Sequence, residues 1–240
     1  MQKGEAPTQR AVPHISEIED LSRELFEAIE SCNFSAIEND RIRNAYYLAM
    51  RLHAQQAERS DGPYTHHILR VALRVARIEG ANADCIIAAL LHDAIEDQPE
   101  ALSLLMRVKG GKRVDRINRF EELFGPEVRD IVILLTKKQP RLGHKKPEYK
   151  EFILALVTDE RALLIKVSDF LDNALGILDK PFELRRRLAR KWEPVTQLLI
   201  MALHYLKHEH GLLGQDARKT LIGELHEAQR RLRLAKSLRH

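Results

Sequence analysis

Residues 84–97 read Asp84-Cys85-Ile86-Ile87-Ala88-Ala89-Leu90-Leu91-His92-Asp93-Ala94-Ile95-Glu96-Asp97. The run from Ile86 to Leu91 has no polar interruption, so a helix here is apolar on every side and belongs inside a core. It then meets four ionisable groups: His92, Asp93, Glu96 and Asp97. A core helix with such an end needs partners for these charges, because burying them unpaired is costly. Carboxylates are also unfavourable at a helix C-terminus, where the dipole is negative, so a simple solvated last turn explains the pattern poorly. A metal ion is one such partner. Read as a single helix reaching about Gln98-Pro99, the segment sets Asp93 one turn from Asp97, and His92 one turn from Glu96. His92 and Asp93 can then approach a metal, with Glu96 and Asp97 beside it, where they can handle an attacking water.

Helical spacing continues on both sides. Residues 1–15, with Pro7 and Pro13, read as a loose polar tail. A helix is expected over 16–31, where Ser16 and Glu19 have the form of a capping box, and another over 37–57. Ser60-Asp61-Gly62-Pro63 breaks the pattern, which resumes over 68–78. Two short helices joined by Gly110-Gly111 are expected within 100–125, then one over 126–136 with Pro126 in its first turn. A loop at 137–147 precedes helices over 148–158 and 159–177. A long helix follows Pro181 to about His208, and an amphipathic one spans 217–236. No segment alternates with a period of two, and glycine and proline are sparse. The fold class is therefore all-α: a helical bundle with an additional C-terminal helix. Residues 16–210 are read as one domain, and 211–240 as an amphipathic helix that packs on the domain or on a partner.

Hydrophobic residues make up 44% and charged residues 31% of the 240, an ordinary globular balance that allows a sizeable core. The formal charge of +4 is too mild to announce a nucleic-acid partner. Basic residues do gather at Arg185, Arg186, Arg187, Arg190 and Lys191, and again at Arg230, Arg231, Arg233, Lys236 and Arg239. Solvated helix faces are the plainer reading, and nucleic acid is the least favoured partner. Two cysteines, Cys32 and Cys85, imply neither a disulfide framework nor a cysteine metal site. No apolar run reaches the ~18 residues of a membrane span and no signal peptide is visible, so a cytoplasmic location without membrane contact is expected. Self-association stays open.

Two more blocks carry chemistry. In Gly62-Pro63-Tyr64-Thr65-His66-His67, a histidine just past a turn can point into a cleft, and the sequence does not choose between the two. In Leu163-Leu164-Ile165-Lys166-Val167-Ser168-Asp169-Phe170-Leu171-Asp172-Asn173, the residues Lys166, Asp169 and Asn173 share one helix face. An internal ion pair between Lys166 and Asp169 is the plainer alternative there.

In this order the blocks resemble those of the hydrolase domain of the RelA/SpoT alarmone proteins. The family's motifs correspond to His53-Ala54-Gln55-Gln56, Gly62 to His67, Ala88 to Asp97, Phe124-Gly125-Pro126-Glu127-Val128 with Thr136-Lys137, and Ile165 to Asn173. The resemblance covers about residues 36–205, and several spaced blocks are far more specific than one. It implies an HD-type domain and a metal, usually manganese, held by His67, His92, Asp93 and Asp169. It implies that Glu96 and Asp97 activate the water, and that Arg59, Lys166 and Asn173 contact a small-molecule nucleotide. The implied reaction removes the 3′-diphosphate of guanosine, or adenosine, 3′,5′-bis(diphosphate). Departures fall on nucleotide recognition: Glu58 stands where arginine is usual, Phe170 and Asp172 where arginine and histidine are common, and Leu175 and Gly176 where arginine and threonine are typical. A related nucleotide phosphohydrolase, such as one acting on the 2′-phosphate of NADPH, and a non-catalytic nucleotide-binding module are the alternatives.

Overall fold

The computed structural model describes residues 12–57, 59, 62–110, 112–136, 149–206 and 211–237, the first four as backbone. The expected tail before residue 12, Glu58, Ser60, Asp61, Gly111, Lys137, the loop 137–147 and Arg239 lie outside the described residues.

The chain is all-α. Its helices are α1 (Val12–Glu30), α2 (Ala36–His53), α3 (Tyr64–Ala76), α4 (Ala83–Leu90), α5 (Ala94–Asp97) and α6 (Pro99–Leu105), then α7 (Arg113–Phe124), α8 (Pro126–Leu135), α9 (Tyr149–Leu156), α10 (Glu160–Leu175), α11 (Phe182–Tyr205) and α12 (Gln215–Ser237). A 3₁₀ turn, Ile177–Asp179, follows α10. Among the described residues there is no strand, only an isolated antiparallel bridge between Arg59 and Gly62. No helix of the described residues is long and apolar enough to cross a membrane.

Local chemistry sets several boundaries. α1 starts at Val12, four residues ahead of the expected Ser16, because Pro13 suits a first helical turn better than it suits a tail. The capping box instead forms at α2, where Glu38 N–H donates to Ser35 Oγ and Ser35 N–H donates to the Glu38 carboxylate at 2.9 Å. Asn82 caps α4 and Asp159 caps α10 through their side-chain oxygens. Gly125, at φ 89°, turns the chain between α7 and α8 in a conformation that disfavours other residues.

The core is centred on α3, α4 and α10. Every residue from Cys85 to Leu91 is fully buried, as the unbroken apolar run requires. Truncating one of its leucines to alanine would cost about 2–5 kcal/mol. α1 and α2 cover this centre on one side, and α8 on another. α12 lies chiefly along α11 and also touches α10. Its Leu221, Leu225, Ala228, Leu232 and Ala235 recur at alternating steps of four and three and are all buried. Arg231 donates to the Leu175 carbonyl at 2.8 Å, and Arg233 and Lys236 both pair with Glu193 of α11. The C-terminal amphipathic face is thus filled by the chain's own bundle.

Candidate metal centre

The run that opens the sequence reading is not one helix. α4 stops at Leu90, residues 91–93 form a turn, and α5 starts afresh at Ala94. The cause lies in His92. In a continuous helix the Ala89 carbonyl would accept from the N–H of residue 93. Here His92 Nδ1 donates to that carbonyl at 2.8 Å. A carbonyl can only accept, so Nδ1 carries a proton, and Nε2 is the nitrogen that can give up its own proton to a metal. The ring is 4% exposed, and Nε2 is a buried nitrogen with no hydrogen-bond partner.

His67 sits in the first turn of α3, which begins at Tyr64 rather than at the expected 68. Its Nδ1 donates to Asp172 Oδ2 on α10 at 2.7 Å, which also aims Nε2 at the cluster. That nitrogen lies 3.4 Å from Asp169 Oδ1 and 3.9 Å from Asp93 Oδ2. His66 turns the other way, with Nδ1 3.6 Å from Glu17 on α1. The ambiguity between the two adjacent histidines is one of direction, and helix geometry separates them.

Ligand atoms of His67, His92 and Asp93 all lie within 4.8 Å of one another. Asp169 stands beside this trio. Its Oδ2 accepts from Lys166 Nζ at 2.6 Å and its Oδ1 from Asn173 Nδ2 at 2.8 Å. The Lys166–Asp169 ion pair therefore exists, and it lies on the wall of the site. The trio opens onto a cavity of about 200 Å³, walled by Arg59, Tyr64, Glu96, Asp97, Lys166 and Asn173. Arg59, Glu96, Asp97, Lys166, Asp169 and Asn173 thus share this cavity with His67 and Asp93, while His92 stands in the cluster at its floor and His66 points away.

Charge in the cluster is mutually compensated. Burial opposes the charged form of His92, but the Asp93 carboxylate beside it, with Asp169, outweighs this and pushes it up to about 9. His67 is raised against its burial by Asp169 and Asp172. Asp93, despite burial, is held well below the usual carboxylate range by His92 and His67. Asp169 is held well below it against burial by Lys166 and His67. Imidazolium protons thus occupy the place that a cation can take, and a divalent ion would displace them. Two imidazoles and carboxylate oxygens suit a borderline divalent metal.

Four supporting residues escaped the sequence reading. Tyr64 Oη is shared between Asp93 Oδ2 at 2.5 Å and Asp97 Oδ2 at 3.0 Å. Gln56 Nε2 donates to Asp97 Oδ2 at 3.1 Å, and its Oε1 accepts from His53 Nδ1 at 2.6 Å. Arg70 clasps both oxygens of Asp172, at 2.5 and 3.1 Å. Tyr64 and Gln56 stood inside quoted motifs, so a signal for them existed. Asp172 registered only as a departure, and Arg70 carried no signal beyond lying three residues after His67. Arg59 turns inward: it donates to Asn173 Oδ1 at 2.8 Å, and its guanidinium lies 5.7 Å from the Tyr64 ring centroid.

An all-α bundle that gathers paired histidines and aspartates from three helical segments around one cavity defines a metal-binding helical domain. The chain belongs to the HD domain family, whose profile matches residues 45–197. HD domains bind divalent metals, and the matched span holds the whole cluster. The chain is 32% identical over 154 residues to a guanosine-3′,5′-bis(diphosphate) 3′-pyrophosphohydrolase of Aquifex aeolicus, covering 63% of this chain and 20% of the relative. It is 29% identical over 205 residues to the bifunctional (p)ppGpp synthase/hydrolase SpoT of Escherichia coli K12, covering 80% and 27%. A probable GTP pyrophosphokinase of Mycobacterium leprae is 33% identical over 153 residues, covering 62% and 17%. The chain therefore spans about a quarter or less of the length of these relatives.

Proposed function

We propose that the protein is a manganese-dependent pyrophosphohydrolase that removes the 3′-diphosphate from guanosine or adenosine 3′,5′-bis(diphosphate). One observation carries the reading. Two buried imidazoles, each with Nδ1 tied up by an acceptor, turn Nε2 toward Asp93 and Asp169 beside a cavity walled by Glu96 and Asp97. The names of the relatives support the choice of substrate, since the match falls on the HD domain.

His67, His92, Asp93 and Asp169 would hold the metal. When bound, it supplies positive charge that acidifies the attacking water and offsets charge on the phosphoryl oxygens. Asp97 takes the proton of that water. Tyr64 and Gln56 both donate to its Oδ2, which fixes the carboxylate and leaves Oδ1 to face the water. Glu96 lines the same cavity and orients the water with it. Lys166, held firmly protonated against its burial by Asp169, offers a cation to the phosphates. Arg59 and Asn173 bound the same cavity and contact the nucleotide. Water attacks the phosphorus joined to the ribose 3′ oxygen and that P–O bond breaks, so the 3′ oxygen leaves as a hydroxyl and the products are pyrophosphate and a nucleoside 5′-diphosphate. We take residues 16–210 as the catalytic domain and 211–240 as its packed C-terminal extension, working in the cytoplasm.

The inward turn of Arg59 favours one second reading, a phosphatase for another nucleotide such as NADPH, because that guanidinium is already engaged with Asn173. A single assay separates the two. Metal-stripped protein is reloaded with manganese and offered guanosine and adenosine 3′,5′-bis(diphosphate) and NADPH. Pyrophosphate release from the first two is expected. Inorganic phosphate from NADPH alone, or no turnover of any of the three, would overturn the proposal.

A further inference from the structure

A second cavity, of about 270 Å³, adjoins the metal centre. The two share Lys166, Asp169 and Asn173, the polar stripe of α10, as a common wall. Their other walls differ in kind. Around the first stand carboxylates, Arg59 and Tyr64. Around the second stand Tyr149, Phe170, Trp192 and Val195, with Lys191 at its exposed rim. Phe170 and Trp192 meet edge to face, with ring centroids 6.5 Å apart.

We infer that this aromatic cavity seats the purine ring of the nucleotide whose phosphates lie at the metal centre, and that it holds the ring by stacking rather than by reading its edge. The inference rests on the proposed reaction for the placing of the phosphates. The walls then follow from chemistry. A nucleotide joins a highly charged group to a flat apolar one, and the α10 stripe divides a polar cavity from an aromatic one in the same way. Aromatic faces accept any base, because every base has a π-face. Edge reading needs free paired donors and acceptors. The amide on the shared wall, Asn173, already accepts from Arg59 through Oδ1 and donates to Asp169 through Nδ2. Lys191 is placed to meet the 5′-phosphates at the rim. Guanine and adenine substrates should therefore differ in kcat/KM by less than about 100-fold, whereas a site that hydrogen-bonds its substrate's polar edge can discriminate by about 10⁴-fold.

Trp192 is the only tryptophan of the chain, so its fluorescence reports this cavity directly. The full chain carrying Asp97→Asn, which should not consume substrate, is titrated with each bis(diphosphate) and separately with inorganic pyrophosphate, with and without manganese. Both nucleotides should change the emission saturably, and pyrophosphate alone should leave it unchanged. In parallel, Val195→Phe, which fills the cavity, and Trp192→Leu should each raise KM about tenfold or more with kcat within about twofold. Turnover by the unsubstituted chain with unmoved emission and unmoved KM in both variants overturns the pocket and leaves the reaction standing. The same emission change with pyrophosphate alone also overturns it. Saturable change with nucleotides but no turnover supports the pocket and overturns the reaction.

Discussion

His67 and His92 turn the same nitrogen toward the same cluster, yet they are held by different means. His92 is fixed by the carbonyl of Ala89, three residues back in its own turn. His67 is fixed by Asp172, 105 residues away on another helix, and Asp172 is itself gripped by Arg70. The first arrangement is local: it arises wherever α4 ends, and no side-chain substitution removes a backbone acceptor. The second is assembled only when α3 and α10 pack, and depends on two side chains that can be exchanged. Orientation of one imidazole is therefore built into the chain path, and of the other into tertiary packing.

The largest effect should come from the residue that both histidines face. Asp93 Oδ2 lies 3.2 Å from His92 Nε2 and 3.9 Å from His67 Nε2. Asp93→Ala should abolish manganese-dependent turnover and leave the metal bound too weakly to survive desalting, as read by metal analysis. Turnover equal to that of the unsubstituted chain would remove Asp93 from the site.

Next in size is the test of the distant clasp. Asp172→Ala frees His67 Nδ1, so the ring can turn or exchange tautomer. Metal affinity, measured by titration calorimetry, should fall about 10- to 100-fold, the range for such supporting carboxylates around metal-binding histidines. Asp172→Asn keeps an oxygen able to accept from Nδ1 and should recover most of the loss. ¹⁵N NMR of the metal-free protein, at a pH high enough to leave both rings neutral, should show a changed His67 tautomer in the alanine variant and an unchanged His92. An unchanged His67 would mean that packing alone orients the ring.

How much of this was legible in the sequence follows the same division. The all-α architecture and the burial of α4 were legible, since Ile86 to Leu91 leave no face for water. The stop at Leu90 was not, because no glycine or proline marks it, and the donor that displaces the helical bond is the imidazole of His92. Asp97 N–H still donates to the Asp93 carbonyl at 2.8 Å, so the two carboxylates stay one helical turn apart, and the Tyr64 hydroxyl ties them together as well. The sequence itself does not choose between His66 and His67; the resemblance names His67, and in the fold the His67 ring faces the cluster while the His66 ring faces Glu17. Asp172 was visible only as an unusual residue at its position. Its meaning depends on where α3 lies, and pairing between distant helices leaves no periodicity to read. Lys166 and Asp169 could be read as an ion pair or as site residues, and in the packed helix the ion pair lies on the cavity wall.

A smaller effect concerns pH. In the metal-free protein the folded-state value for His92 is raised from 6.5 to about 9. A raised value means that the protonated form is the one favoured by folding. The resulting stability is fully present below about 6.5 and is lost as pH rises through about 9. The Tm of the metal-free chain should therefore fall over that window. With manganese bound, the imidazole protons are already displaced and the fall should flatten, while the proton release on binding, read by calorimetry in buffers of different ionisation enthalpy, should be larger at pH 7 than at pH 9. Equal slopes with and without metal would mean that the ion does not sit on His92.

The smallest effect comes from the far end of the distant clasp. Arg70 grips both oxygens of Asp172, and Asp172 in turn holds His67. Burial disfavours the Asp172 carboxylate, yet His67 and Arg70 together hold it at about 2, so losing Arg70 leaves it ionised and still bonded to His67 near neutral pH. Arg70→Met keeps much of the stem packing on α3 and removes the charge. Metal affinity should then drop only a few-fold, well short of Asp172→Ala, and if Arg70 acts through Asp172 the two substitutions together should cost no more than Asp172→Ala alone. Additive losses in the double variant would mean that Arg70 supports the site by a route that bypasses Asp172. The clasp would then be two separate contacts rather than one relay from helix to helix.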